Sequence, residues 1–215
     1  MQKIAFYLTI ILSFPLLLAG ENSYEKSKEE AEYYRKLNLA RAYERGTVLK
    51  KDEKKAFFYY YRAATNWNYT EPEALEYLEK KAKEGNPYAQ WGYGRYYDYD
   101  ELRSYDPEKA FYWYSKAAEK NIPVALNNLA LMYIFGRGVK KDVKKIKELM
   151  LKAAELGIES AQECLVRLYS GYYDVTESNY KEAFKWIEIL VKKGSLSAKY
   201  NMGVCYFYGR GVPED

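Results

Sequence analysis

The combination of residues most suggestive of catalysis is a serine followed three positions later by a lysine. This Ser-x-x-Lys spacing occurs at Ser23–Lys26 and at Ser178–Lys181, and in serine hydrolases it supplies a nucleophile and a nearby base. Neither copy has the Ser-Asp-Asn or Lys-Thr-Gly segments that complete such a site. We therefore interpret both copies as coincidental spacings.

Acid–base and metal chemistry have equally few residues available. The 215 residues include no histidine, which excludes histidine-based triads and histidine-ligated metals. The carboxylates of Asp98–Glu101 lack the glycine and the closing glutamate of a calcium loop, so we interpret them as a solvated loop. The sequence predicts no catalytic residue, no metal site and no cofactor, and its net charge of +4 does not favour nucleic acid as a partner.

Most of the chain repeats one helix–loop–helix unit. Alanines recur at spacings of 36 or 37 residues, at Ala89, Ala125, Ala161 and Ala198. A tyrosine follows each alanine by eight positions, at Tyr97, Tyr133, Tyr169 and Tyr206. This period, with two amphipathic helices in each copy, predicts an all-α fold: an α-solenoid of antiparallel helix pairs.

The positions of the repeat follow from helical geometry. When each first helix is numbered from its opening alanine, positions one, five, eight, nine and twelve form one buried stripe. In the central copy these residues are Ala125, Leu129, Met132, Tyr133 and Gly136. Position six is mostly small, which lets a neighbouring helix approach closely. The Gly-x-Gly turns at Gly136 and Gly209 fit helix ends that need positive φ.

The segment Asn201–Val212, together with the Lys-Ala-Ala that closes other copies, resembles the Sel-one-like repeat, a relative of the tetratricopeptide repeat. The resemblance covers roughly residues 31–215. It implies an interaction scaffold, exported from bacteria or acting as an adaptor in a larger complex. It also implies an alternative, a β-lactamase-type or penicillin-binding hydrolase, as described for cysteine-rich relatives. This chain lacks the cysteine pair that those relatives carry in each repeat, so we expect no enzyme.

The chain is expected to divide into four parts. Residues 1–20 read as a signal peptide, because Lys3 precedes an apolar run over Ile4–Ala19; the alternative is an uncleaved membrane anchor. Residues 21–66 form a first helical hairpin, and 67–87 a junction whose single helix lies half a period out of phase. Residues 88–215 hold regular repeats, the last one truncated, with helices near 88–98, 107–120, 123–135, 142–156, 159–170, 180–193 and 196–208. We therefore expect an exported protein, periplasmic or secreted.

Binding is expected on the face of the first helices that points away from the buried stripe. Positions three, seven and ten lie on this face, and their residues are rich in the aromatic, aliphatic and arginine side chains of interfaces. We call the following residues the first-helix strip: Trp91, Arg95, Asn127, Leu131, Arg167, Tyr200 and Phe207. Similarity to tetratricopeptide solenoids places this strip in a concave groove that binds a protein or peptide. The alternative is that these side chains pack against sequential helices.

Two further expectations concern the C-terminal third. Cys164 and Cys205 sit on equivalent helices with their side chains pointing the same way, which predicts two reduced, buried or half-buried thiols. The last first helix, near 196–208, has no second helix after it in this sequence. Its stripe residues Met202, Cys205 and Tyr206 are therefore expected to be more exposed than Leu129, Met132 and Tyr133, and to allow self-association.

Overall fold

A computed structural model describes residues 21–65, 73–99, 104–173 and 178–212. Within these ranges the chain is all-α and contains no strand, as predicted. In chain order the helices are α1 (Glu21–Arg45), α2 (Glu53–Ala64), α3 (Glu73–Lys83), α4 (Pro87–Tyr97), α5 (Pro107–Glu119), α6 (Pro123–Phe135), α7 (Val143–Glu155), α8 (Glu159–Tyr169), α9 (Tyr180–Lys192) and α10 (Leu196–Tyr208). From α4 onward every helix begins and ends within one residue of its predicted bounds.

Local chemistry fixes where the helices begin and end. Three second helices begin with an aspartate whose carboxylate accepts a hydrogen bond from the backbone N–H three residues later, over 2.9–3.1 Å: Asp52, Asp106 and Asp142. Each aspartate thereby satisfies a donor that has no partner within the helix. Two first helices end at a glycine: Gly136 follows α6 with φ of 68°, and Gly209 follows α10 with φ of 63°. The prediction that these turns require positive φ is confirmed.

The chain forms two compact units, Met1–Lys116 and Ala117–Asp215. In the first unit α1 packs along α2, α3 packs along α4, and α2 also contacts both α3 and α4. Its core contains tyrosines alongside aliphatic residues, among them Tyr33, Leu37, Phe57, Tyr60, Leu78 and Tyr93.

Helix α3 is the element that breaks the phase of the repeat. Its buried residues, Ala74, Leu78 and Ala82, recur every fourth position and face α2 and α4. The single helix expected within the junction, residues 67–87, is present at Glu73–Lys83. Residues 66–72 lie outside the described residues.

In the second unit each helix from α6 to α9 packs against the next one along the chain. One core cluster gathers Val166, Phe184, Ile187, Leu190, Ala198 and Cys205. The opening alanines of α6, α8 and α10 are almost fully buried, as the stripe predicted. Small side chains at these positions allow the helices to approach closely.

Both cysteines are free, Cys164 half-buried and Cys205 buried. The prediction of two unpaired thiols is confirmed. Burial raises the pKa of each thiol above its ordinary value, so both stay protonated and unreactive near neutral pH.

The expected signal segment, residues 1–20, lies outside the described residues. Among the described helices, none has the length and apolar character needed to cross a membrane.

Candidate interaction surface

Among the described residues of the second unit, the most exposed large apolar side chains lie on helix α10. Tyr200 is 74% exposed and Phe207 is 81% exposed, so the expectation that these two are accessible is confirmed. Leu196 and Tyr206 are exposed on the same helix. At about 100° per residue, all four lie within about 120° of the helix circumference, with Gly203 among them. We call Leu196, Tyr200, Gly203, Tyr206 and Phe207 the α10 open face.

The other accessible strip residues of this unit lie on α6 and α8. Leu131 is half-buried and Arg167 is exposed. The pKa of Arg167 is raised, mainly by a hydrogen bond with the Tyr173 side chain, so the Arg167 guanidinium stays charged. The second unit thus presents Arg167 together with several apolar side chains on its first helices.

The stripe residues of α10 are more exposed than those of α6, as predicted. Met202 is half-buried where Leu129 is buried, and Tyr206 is 61% exposed where Tyr133 is only half-buried. Cys205 remains buried, at 7% exposure against 0% for Met132. Tyr206 still packs edge-on against Phe184 of α9, with 5.7 Å between ring centroids, so it is covered on one side only.

The expectation of an accessible Trp91 is wrong. Its side chain is 3% exposed, and its indole stacks on Phe58 of α2 with 6.4 Å between ring centroids and 17° between planes. Both α2 and α3 contact α4, so α4 is enclosed on two faces. Position three of the repeat therefore points at the preceding hairpin instead of at solvent.

Asn127 is likewise buried, at 8% exposure. Its side-chain oxygen, Oδ1, accepts a hydrogen bond from the Ser160 hydroxyl of α8 over 3.3 Å. The position-three residue of α1, Leu37, is also in the core. The expectation that position three faces away from the core is therefore wrong for these two residues as well as for Trp91. Asn127 links one first helix to the next, which is the alternative that sequence reasoning left open.

Arg95 is half-buried, as expected, and its guanidinium packs on aromatic rings. Its central carbon lies 4.7 Å from the Tyr61 ring centroid and 5.7 Å from that of Trp91. Such cation–π packing holds the side chain against α2 and leaves part of it available to solvent.

Sequence reasoning missed Phe135 and Tyr172, which are 58% and 73% exposed. Phe135 is the last residue of α6, and Tyr172 follows α8. Phe135 is at position eleven of its repeat, which belongs to neither the stripe nor the first-helix strip, and Tyr172 is at position twelve, a stripe position that was expected to be buried. A search for aromatic residues beside the closing turns would have found them.

The structure describes only some of the residues considered for catalysis. Ser178 is exposed just before α9, and the side chains of Ser23 and Lys26 lie outside the described residues, as do Asp100 and Glu101. Asp98 accepts a hydrogen bond from the Tyr114 hydroxyl over 3.2 Å, a contact that joins α4 to α5. Across the described ranges, no three acidic or cysteine side chains are grouped so as to hold a metal ion.

The family model for the Sel1 repeat matches residues 36–66, 87–122, 123–158, 166–195 and 196–215. Two solved structures share the fold. A Sel1 repeat protein from Oxalobacter formigenes has a TM-score of 0.60 at 28% identity, covering 86% of this chain and 60% of the other. A protective antigen of uropathogenic Escherichia coli with an SLR fold has a TM-score of 0.63 at 23% identity, covering 92% and 46%. The predicted α-solenoid is confirmed.

Two sequence relatives come from Arabidopsis thaliana. The ERAD-associated E3 ubiquitin-protein ligase component HRD3B of Arabidopsis thaliana is 35% identical over 99 residues, which is 46% of this chain and 15% of that protein. An F-box protein of the same plant is 32% identical over 105 residues, 49% of this chain and 28% of its own length. This chain spans less than a third of either relative.

Proposed function

Because the chain belongs to the Sel1 repeat family, we propose that it is an exported helical-repeat scaffold. In this proposal it binds another protein or a peptide through the accessible residues of its first helices. Sel1 repeat proteins are helical scaffolds that generally mediate protein interactions. The fold is typically non-enzymatic, and no catalytic family is indicated for this chain.

The observation that carries the proposal is the side-chain content of the second unit's first helices. Leu131, Arg167, Tyr200 and Phe207 are accessible, and aromatic residues and arginine are the types enriched where protein partners bind. The likeness to tetratricopeptide solenoids supports a concave arrangement of these helices. Trp91 and Asn127 are buried and are therefore not part of the proposed binding surface.

Export is the second half of the proposal and rests on Lys3 and the apolar run Ile4–Ala19. Expressing the full chain in a bacterial host and sequencing the N-terminus of the periplasmic or secreted product tests it. A product that begins near Glu21 outside the cytoplasm is expected. A full-length product retained in the cytoplasm would contradict export.

The binding half is tested with a matched pair of double variants. Leu131→Ala with Arg167→Ala removes one apolar and one charged side chain from first helices. Ile189→Ala with Lys144→Ala removes the same kinds of side chain from exposed positions on second helices. A partner captured from the extracytoplasmic fraction by the original chain should bind the first variant at least tenfold more weakly and the second equally well. Equal loss in both variants would contradict a first-helix site.

A further inference from the structure

The turn between α6 and α7, together with the start of α7, concentrates positive charge. Residues 135–147 contain six basic side chains and one acidic side chain. Their net charge of +5 exceeds the +4 of the whole chain, so the other residues together are close to neutral. We call the following residues the basic turn: Phe135, Arg137, Lys140, Lys141, Lys144 and Lys147.

Three lysines of the basic turn have no counter-charge nearby. Lys140, Lys141 and Lys144 are exposed, and none of them forms an ion pair with another residue in the described ranges. Asp142 caps α7, where its carboxylate accepts a hydrogen bond from the backbone N–H three residues later. The Glu148 carboxylate is shared by two other lysines, each at 3.0 Å. The three lysines therefore repel one another, and an anion from outside the chain would relieve that repulsion.

An exposed aromatic ring lies beside these cations. Phe135 is 58% exposed, and the guanidinium carbon of Arg137 lies 5.8 Å from its ring centroid. A Cβ atom placed on Gly136 would lie 3.6 Å from Cγ of Lys141, so the lysine stem packs next to the residue that follows Phe135. Exposed apolar side chains flanked by lysines are typical of segments that bind the surface of a bilayer.

The kind of cation favours a membrane over an acidic protein segment. Five of the six basic side chains in residues 135–147 are lysines. Lysine is depleted in protein interfaces, where arginine is enriched, because its ammonium group is strongly hydrated. At a bilayer surface the ammonium group stays hydrated among the headgroups while the apolar stem lies against apolar surface. Attraction to anionic lipids therefore needs little desolvation of these lysines.

We propose that the basic turn binds the surface of an anionic lipid bilayer. Its lysines lie among the phospholipid headgroups, and the Phe135 ring enters the boundary between headgroups and acyl chains. This contact is additional to the proposed binding of a protein or peptide and does not depend on it.

The equivalent turn of the first unit supplies a matched control. Three exposed lysines occupy the same repeat positions there: Lys50, Lys51 and Lys54. However, Glu53 lies in the first turn of α2, and the net charge of residues 45–57 is only +3, from five basic and two acidic side chains. The residue at the position of Phe135 is Arg45, so this turn has no aromatic ring to insert.

The test uses the full chain and vesicles made of equal parts phosphatidylglycerol and phosphatidylcholine. Co-sedimentation should show binding that is at least tenfold weaker to phosphatidylcholine alone and that falls as salt is raised. Replacing Lys140, Lys141 and Lys144 together with Glu should weaken binding at least tenfold, because each lysine near an anionic surface adds to the attraction. The same change at the three control lysines alters the net charge equally and should weaken binding by about threefold at most.

The aromatic ring has a matched pair of its own. Phe135→Ala should weaken binding to the anionic vesicles at least threefold, because the inserted apolar surface is lost. Tyr172→Ala removes an even more exposed ring of the second unit and should leave binding unchanged. Circular dichroism should show the helix content of the original chain in all four variants, since the replaced side chains are exposed.

Three results would overturn the inference. The first is equally strong binding to phosphatidylcholine alone, because the apolar run Ile4–Ala19 would then account for it. The second is an equal loss in both lysine variants, because net charge would then matter and not this turn. The third is binding of soluble polyglutamate without binding of vesicles, because an acidic protein segment would then be the occupant.

Discussion

At the scale of single residues, the polar ends of buried tyrosines join the helices of the first unit. The Tyr60 and Tyr77 hydroxyls, on α2 and α3, both donate hydrogen bonds to the Glu44 carboxylate of α1, the first over 2.8 Å. Their rings pack 4.6 Å apart. Burial, followed by the hydrogen bond to Glu44, raises the pKa of both tyrosines well above the ordinary value. Both therefore remain donors throughout the neutral range.

This arrangement predicts a loss of stability in alkali. The folded pKa of Tyr60 is raised, so its contribution is fully present below the unfolded tyrosine pKa of about 10 and is lost as pH rises beyond that value. Tyr60→Phe should cost about 1–2 kcal/mol at pH 8, because one hydrogen bond to a charged group is removed. The difference in unfolding free energy between the variant and the original chain should be smaller at pH 11 than at pH 8. Urea unfolding at both pH values measures it. A difference independent of pH would contradict the assignment.

The buried Trp91 gives a second prediction at this scale. Trp91→Ala removes a ring that stacks on Phe58 and should destabilise the chain by about 3–5 kcal/mol. Trp91→Phe keeps an aromatic ring there and should cost clearly less. Urea unfolding monitored by circular dichroism compares the two. A fully stable Trp91→Ala variant would show that the indole does not hold α4 to α2.

At the scale of helices, the regular repeat was predictable because its signals are local. Asp106 and Pro107 mark a helix start, Gly136 marks a helix end, and the alanines spaced by 36 or 37 residues fix the period. The binding face was predicted less well. Stepping around a single helix identifies one buried stripe, whereas α4 is enclosed on two faces by α2 and α3. Which faces are covered depends on neighbours that a single-helix analysis does not contain, and Trp91 and Asn127 were misassigned for that reason.

The two equivalent glycines Gly94 and Gly203 allow a matched test of helix packing. Gly94→Ala should destabilise by about 1–3 kcal/mol, since its Cβ meets the rigid Tyr114 ring at 2.7 Å. Gly203→Ala should stabilise by about 0.5–1 kcal/mol, because alanine favours the helix and the site is open. Urea midpoints of the two variants report both values. Shifts of the same sign would contradict the difference between Gly94, which the Tyr114 ring covers, and Gly203, which is open.

At the scale of the whole molecule, the division into two compact units was not predictable. It falls within α5, between Lys116 and Ala117, where the repeat sequence runs on without a break. Each unit has its own core: tyrosine-rich in the first, and largely aliphatic around Val166 and Ile187 in the second. Period and composition indicate how many helices form, but the grouping of helices depends on contacts summed over many residues.

The stability of the second unit should depend on whether the α10 open face is covered. Joining a second helix with the sequence of residues 106–121 after Asp215 places such a cover in the same chain. Each large side chain that it buries should contribute about 1–2 kcal/mol, and each kcal/mol should raise the melting temperature by about 2–4 °C for a chain of this size.

Self-association should fall as the apolar face is removed from solvent. The same extension on a Gly203→Leu chain should lose most of the gain, because the leucine would occupy the space that the Tyr114 ring fills beside the equivalent Gly94. Calorimetry and sedimentation measure both effects. If the extended and original chains melt alike and both stay monomeric, the α10 open face needs no cover and this prediction is wrong.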